Sequence, residues 1–440
     1  MTRKKWILVV ASVLVSSTLL EGQVFAVGER KKIVMASNSS DFDRLLNVLL
    51  NDALQNSLNG ITVVYPLPLL SAVAIVLPPD KTVQDGLTYL QNLLLQIPYM
   101  VYDDLMFSVF PITPALPGQV PVREACDWGL VRIGVDVAHR EMPQWKGRGV
   151  KVAVVDTGID CGHPDLPPLF AGVKAVPEPD EVSYCDYHGH GTHVAGIIAA
   201  RENNIGIVGA APEASLVAVK VLNKYGKGYL SNLLYGLQWI WSYNFVNPDK
   251  IRLVNMSLGF SVGSPLLKAA LERLFNDYGT IMVAAAGNKC PSSGSQDEDG
   301  GDEGQGACDA PSTTTMYPAA YSVVLAVTAL DSKDNVTYYS LAGPAVDIIA
   351  PGGLRNAKRI LSTYLGGLYG FATGTSQAAA HVTGALALKL GQQPDLDLAD
   401  IQLLLAHTAT NLQYPATQQG WGLIDAECLL APTLPQCPNQ

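Results

Sequence analysis

The chain has 440 residues, is 48% hydrophobic and carries a formal net charge of −10, enough apolar material for a large core in more than one folding unit. This excludes a disordered chain. The negative balance, with no basic block beyond the extreme N-terminus, argues against non-specific attraction to nucleic acid or an anionic lipid surface, and neither is an expected partner.

Residues 1–26 have the parts of an export signal: basic Arg3, Lys4 and Lys5, an apolar run from Trp6 to Leu20, and small Ala26 closing Val24-Phe25-Ala26. That apolar run is short for a membrane span. The expectation is a secreted chain cut after Ala26, with no stable membrane anchor afterwards.

Residues 27–110 read as a small α+β unit. Lys31–Ala36 is β-prone, and Asp41–Leu54 places Phe42, Leu45, Leu46, Leu49 and Leu50 at helical spacing behind Ser40 or Asp41 as a cap. Ile61–Tyr65 and Ala72–Leu77 are strand-like, Thr82–Leu95 is a second amphipathic helix, and Val101–Phe110 a last strand. Strand, helix, strand, strand, helix, strand is the split βαβ order of ferredoxin-like units. Residues 111–125, with Pro111, Pro114, Pro117, Gly118 and Pro121, form an exposed linker.

From 126 to 440 short apolar runs alternate with helical segments, which predicts an α/β fold around a mostly parallel sheet. The strands are Val150–Val155, Leu216–Val221, Arg252–Met256, Thr280–Ala285 and Val323–Thr328. The helices are Gly191–Arg201, Leu230–Trp241, Pro265–Tyr278, Ser376–Leu390 and Leu398–His407. Cys290–Cys308 interrupts this order with five carboxylates among Gly and Ser, a solvated loop. All seven cysteines lie from Cys126 onward. Cys161 with Cys185, Cys290 with Cys308 and Cys428 with Cys437 are near neighbours; Cys126 is left free or pairs with Cys428 or Cys437. No paired C-x-x-C knuckle suggests zinc.

Three segments put a polar group where an apolar run ends. Val152-Ala153-Val154-Val155-Asp156-Thr157-Gly158 sets a carboxylate at the carboxyl end of a buried strand. His188-Gly189-His190-Gly191-Thr192-His193 opens a helix with His190, and Gly374-Thr375-Ser376-Gln377-Ala378 opens another with a serine. Singly each has a bland reading: a turn Asp, a capping Ser, or a metal pair of His190 and His193 that lacks the Glu of a zinc hydrolase. His193 and His381 read as helix-packing residues.

Taken in the order Asp, His, Ser, the three segments resemble the subtilisin family of serine proteases, from about Asp127 to Ala426, and residues 31–110 resemble that family's inhibitor-like propeptide. The resemblance implies a subtilisin-like three-layer fold and a secreted, self-processing endopeptidase. It would act on polypeptides as a monomer, with its own propeptide as intramolecular inhibitor. Ser376 would be the nucleophile, His190 the base, Asp156 its orienting carboxylate, and Asn288 in Val283-Ala284-Ala285-Ala286-Gly287-Asn288 the oxyanion donor. Ser257, Leu258 and Gly259 would form one wall of the substrate cleft and Gly226, Lys227 and Gly228 the other, both pairing with extended backbone. Met316 would fill the base of the pocket for the residue before the scissile bond. Glu124, Asp165 and Asn203 would hold a structural calcium ion, a hard cation matched to oxygen ligands. The sequence departs from the family pattern at Gln377, where Met is common, and Ala380, where Pro is common. Two competing readings are a transpeptidase or cyclising ligase of the same fold and a catalytically inactive binding protein.

Overall fold

In this computed structural model the described residues are 31–55, 61–78, 82–109, 112–116, 119–120, 124–289 and 314–437. The expected signal, the acidic insert and the Cys290–Cys308 pair lie outside them. The chain divides into two units, one reaching to Leu105 and including Pro177–Val182, the other formed by Met106–Val176 and Ser183 onward.

The smaller unit runs β1 (Lys31–Ala36), α1 (Ser39–Gln55), β2 (Thr62–Leu67), β3 (Ala72–Val76), α2 (Val83–Leu93) and β4 (Tyr99–Asp103). Its strands pair antiparallel in the order β2-β3-β1-β4, the ferredoxin-like arrangement. Alternate residues of β1 and β3, Val34, Val73 and Ile75, bury against Phe42, Leu45 and Leu49 of α1 and Leu90 of α2. The cap of α1 is Asn38, two residues before Ser40 and three before Asp41: its Oδ1 accepts from the Ser40 and Asp41 N–H groups at 3.0 and 2.9 Å. The single strand expected over Val101–Phe110 is two strands. β4 pairs with β1, the chain breaks at Asp104 and Leu105, and Met106–Ser108 (β5) belongs to the larger unit.

That unit continues with β6 (Thr113–Pro114), α3 (Trp128–Arg132), α4 (Val135–Glu141), β7 (Lys151–Asp156), β8 (Ala171–Lys174), α5 (His190–Ala199), β9 (Ser215–Lys220), β10 (Lys227–Tyr229) and α6 (Leu230–Val246). It goes on through β11 (Leu253–Met256), α7 (Pro265–Tyr278), β12 (Ile281–Ala285), β13 (Val324–Leu330), β14 (Val346–Pro351), β15 (Ile360–Tyr364), β16 (Leu368–Ala372), α8 (Thr375–Gln392) and α9 (Leu398–Thr408). Seven strands form one parallel sheet in the order β14-β13-β12-β11-β7-β9-β8, the central layer of a three-layer α/β fold. Its five inner strands are buried on both faces, which is why they read as continuous apolar runs. Both strands absent from the sequence reading, β8 and β14, are the sheet's edges.

α8 is buried on every side from Thr375 to Leu390 and packs on β11 to β14 and on α5. Its small residues allow this, and it runs helical through Ala380. Cys161–Cys185 and Cys428–Cys437 are bonded and Cys126 is free. Burial pushes the Cys126 thiol up to about 12, which leaves it protonated and inert.

His193 and His381 are fully buried. The His193 Nε2 faces the Ile360 and Gly370 carbonyls at 3.2 and 3.1 Å, and the His381 Nδ1 the Gln377 carbonyl at 2.8 Å. Burial lowers their pKa values to about 3 and about 4. A histidine held neutral in the fold charges only in the unfolded chain between its folded value and about 6.5, so its contribution to stability is complete above that range and falls as pH drops through it. Buried Asp127 and Asp347, both raised to about 6 by desolvation, act in the opposite sense. The readout is therefore a difference: urea unfolding from pH 7 to 4 should lose less stability in His381→Gln than in the parent, whatever the variant's stability at pH 7.

Candidate active site

Asp156 is the last residue of β7 and is wholly buried. Its Oδ1 accepts from the Thr157 N–H at 2.7 Å, and its two oxygens lie 2.8 and 2.9 Å from the His190 Nδ1. A carboxylate on both sides of one ring nitrogen fixes the proton on Nδ1 and leaves Nε2 basic. His190 is the first residue of α5 and only 2% exposed. The Gly191 N–H donates to the Thr157 Oγ1 at 2.9 Å, tying the start of this helix to the end of β7. Gly191 has no substitute here, since a Cβ would stand 2.1 Å from the Gly158 carbonyl oxygen.

Asp186 holds the same helix start from outside. Its Oδ1 accepts from the His188 and Gly189 N–H groups at 2.8 and 3.0 Å, and its Oδ2 from the Thr192 N–H and Oγ1 at 3.0 and 2.6 Å. Asp186 escapes the sequence reading because it stands four residues ahead of the helix, outside the capping position, which Gly189 holds. So does Lys220, at the end of β9, whose buried Nζ donates to the carbonyls of Thr157 and Leu222 at 2.6 and 3.0 Å. Nothing in an apolar strand ending in Lys announces that role.

Ser376 occupies the first turn of α8 and is 9% exposed. Its Oγ donates to the Ser257 carbonyl at 3.2 Å, so the hydroxyl must leave that oxygen before passing a proton to an imidazole. Asn288 is held by its own oxygen: Oδ1 accepts from the Thr375 N–H and from the Thr375 Oγ1, both at 3.0 Å. Two donors on Oδ1 assign the amide's orientation. Its Nδ2 has no hydrogen-bond partner among the described residues and lies on the side of Gly374 and the Ser376 N–H. Two free donors at a helix N-terminus can hold an oxyanion.

Ser257, Leu258, Gly259, Gly287, Asn288, Met316 and Ser376 line one cavity of about 40 Å³ together with Ser108 and Val109. Met316 is wedged between Gly259 and Gly287: a Cβ on either glycine would touch it, at 3.1 Å from its Cβ and 2.6 Å from its Sδ. Across the cleft Lys227 and Gly228 lie on β10, and Gly226 at the turn before it. β5 pairs antiparallel with β10, Ser108 opposite Lys227 and Phe107 opposite Gly228, and the Val109 N–H donates to the Gly226 carbonyl at 2.9 Å. Phe107 is buried against Phe260, ring centroids 4.7 Å apart.

Glu124, Asp165 and Asn203 converge on the turn before β9. Glu124 accepts from the Asn203 and Asn204 N–H groups at 2.6 and 3.0 Å, and Asp165 Oδ2 from the Ile207 N–H and the Tyr369 hydroxyl at 3.1 and 2.9 Å. The other Asp165 oxygen is buried without a partner. Burial, with Glu124 adding repulsion, pushes the Asp165 carboxyl up to about 6.

A buried carboxylate–imidazole pair, a serine at a helix start and an oriented amide define a hydrolase of the serine-nucleophile class. The family model described as the subtilase family matches residues 147–422. The chain is 38% identical over 304 residues to Subtilisin E of Bacillus subtilis (strain 168), covering 69% of this chain and 71% of that one. It is 39% identical over 283 residues to Subtilisin DY of Bacillus licheniformis, covering 64% and 91%. To a subtilisin of Bacillus pumilus it is 38% identical over 304 residues, covering 69% and 98%. The chain belongs to the subtilase family and is an enzyme, a serine endopeptidase of the subtilisin type.

Met316→Gly should deepen the cavity. Hydrolysis of peptide substrates with Phe or Tyr before the scissile bond should then rise in kcat/KM relative to those with Ala. A parent enzyme that already prefers large aromatic residues there would rule out a shallow pocket.

Proposed function

We propose that the protein is a secreted, monomeric endopeptidase that acts on polypeptides and processes its own precursor, with Asp156, His190, Ser376 and Asn288 carrying the reaction. The observation that carries this reading is the buried Asp156–His190 pair together with the oriented Asn288 amide beside Ser376. Ser376 Oγ adds to the scissile carbonyl carbon as its proton passes to His190 Nε2, and Asp156 stabilises the imidazolium. The carbonyl oxygen, now anionic, takes hydrogen bonds from Asn288 Nδ2 and the Ser376 N–H. Collapse breaks the C–N bond, His190 returns the proton to the departing amine, and water then hydrolyses the acyl-enzyme by the same steps. Ser257–Gly259 and Gly226–Gly228 hold the substrate backbone as a strand, so side chains bias rather than dictate the choice of bond.

Self-processing is supported by β5. Its backbone already occupies the edge of β10 as an added strand would, in a chain that continues through residues 110 and 111. Residues 1–26 act as the export signal and 27–110 as the inhibitory pro-segment, with the cut falling between Phe110 and Cys126. Ser376→Ala should abolish hydrolysis and accumulate as a precursor starting near residue 27. Asn288→Ala should lower kcat roughly a hundredfold, a size known for loss of this donor in a subtilisin. Normal maturation of Ser376→Ala in a host without other extracellular proteases would overturn the self-processing reading.

The reading includes a structural calcium ion. The residues fit: two carboxylates that reach one turn and an amide on it, with one buried carboxylate oxygen unpartnered, form a site that a hard cation would relieve. Glu124, Asp165 and Asn203 would hold the ion, which stiffens the turn and takes no part in catalysis. Excess chelator should lower the Tm of the mature enzyme, because a ligand bound only by the folded state stabilises it by mass action. Asp165→Ala should erase that sensitivity. An unchanged melting curve after demonstrated removal of the ion would refute the site.

A further inference from the structure

At the amino ends of β7 and β11 lies a cavity of about 220 Å³, lined by Arg148, Lys151, Lys250 and Arg252 with Gly391 and Pro394. It belongs to the opposite end of the sheet from Asp156, since the five residue steps along β7 span about 17 Å. No carboxylate is among the residues that line it. Two of the four cations have acidic partners outside the lining. Arg148 pairs with Glu213 at 2.8 and 3.2 Å, and Lys151 with Asp249.

Lys250 and Arg252 have no carboxylate within ion-pair distance among the described residues. Lys250 donates to the carbonyls of Asn244 and of Asn247, the latter at 2.7 Å. Arg252 spends its two terminal nitrogens on the Pro394 and Leu396 carbonyls at 2.9 and 2.8 Å, and its buried Nε has no partner. Aromatic rings fix the two ammonium groups without neutralising them: Lys151 lies 4.5 Å from the Phe170 ring centre and Lys250 5.3 Å from that of Tyr278. The carboxyl ends of α6 and α8 face this region, each worth about half a negative charge. They offset about one of the two unmatched positive charges and leave the cavity positive, in a chain whose net charge is −10.

We infer that this cavity is a binding site for a small multivalent oxyanion of the phosphate type, separate from the catalytic cleft. Its volume is several times the roughly 30 Å³ share of one water, so it admits a diphosphate as well as a monophosphate. Four cationic side chains line the cavity: Arg148 and Lys151 are each paired with a carboxylate, while Lys250 and Arg252 are held in place by main-chain carbonyls, so two unmatched positive charges stand ready for a compact anion, the setting in which charge-assisted hydrogen bonds contribute most.

The test is calorimetric titration of the full chain carrying Ser376→Ala, which prevents self-digestion, with inorganic phosphate and with pyrophosphate in chloride of matched ionic strength. Millimolar concentrations keep the general salting effect of phosphate on burial small. Saturable binding at one site, tighter for pyrophosphate, is expected. Arg252→Gln and Lys250→Gln should each weaken it about tenfold or more, the worth of one charge-assisted hydrogen bond. Arg148→Gln, at an exposed side chain already paired with Glu213, should weaken it less. Absence of saturable binding to the unmutated cavity, or undiminished binding in the folded double variant of Lys250 and Arg252, would overturn the inference.

Discussion

A thread of polar groups crosses the apolar interior between β11 and α8, and the position of Ser376 depends on it. The Thr383 hydroxyl donates to Asn255 Oδ1 at 2.8 Å, Asn255 Nδ2 to Ser257 Oγ at 2.9 Å, and Ser257 Oγ to the Ser376 carbonyl at 2.9 Å. All four residues are buried. An unmade hydrogen bond at such depth costs about 1–3 kcal/mol, so only one registration of the helix on the sheet satisfies the thread. The apolar contacts of α8 supply adhesion and the thread supplies address. Ser376 is therefore positioned by the core rather than by a surface loop.

The base side is organised differently. His190 starts a helix whose first turn is held by the Thr157 hydroxyl on one side and the Asp186 carboxylate on the other. Asp156 orients the ring while its neighbours orient the backbone that carries it. The edge of β10 is free of these contacts, so a strand can be added there, as β5 is, without disturbing either half. The edge that takes an added strand and the groups that hold His190 and Ser376 are thus mechanically separate within one unit.

Much of this was legible because burial simplifies sequence. β7, β9, β11, β12 and β13 are covered on both faces and appear as unbroken Val, Ile, Leu and Ala runs. The edge strands escaped notice for the converse reason: β8 is four half-buried residues containing Gly172, and β14 is interrupted by Asp347, whose carboxylate accepts from the Ala326 N–H. Val101–Phe110 misled because β propensity says nothing about partners. Its halves pair with β1 and β10, sequence positions far apart in opposite directions. At the site, Asp156, His190 and Ser376 were visible because each ends an apolar run in a Gly-rich context. Lys220 acts through main-chain carbonyls, which leave no trace in residue identity.

Cys161 lies five residues beyond Asp156 and Cys185 five before His190, and their bond closes a separation of 24 residues. Ile159 and Cys185 also meet in a parallel bridge, with the Asp186 N–H on the Ile159 carbonyl at 3.1 Å. In a chain-entropy account such a loop removes on the order of 3 kcal/mol of disorder from the unfolded state. The bond thereby shortens the covalent path between the carboxylate and the imidazole, which stand 34 residues apart in sequence. Of the two encounters that bring Asp156, His190 and Ser376 to one end of the sheet, the disulfide makes the first the more local, while Ser376 still comes from the far side of the sequence.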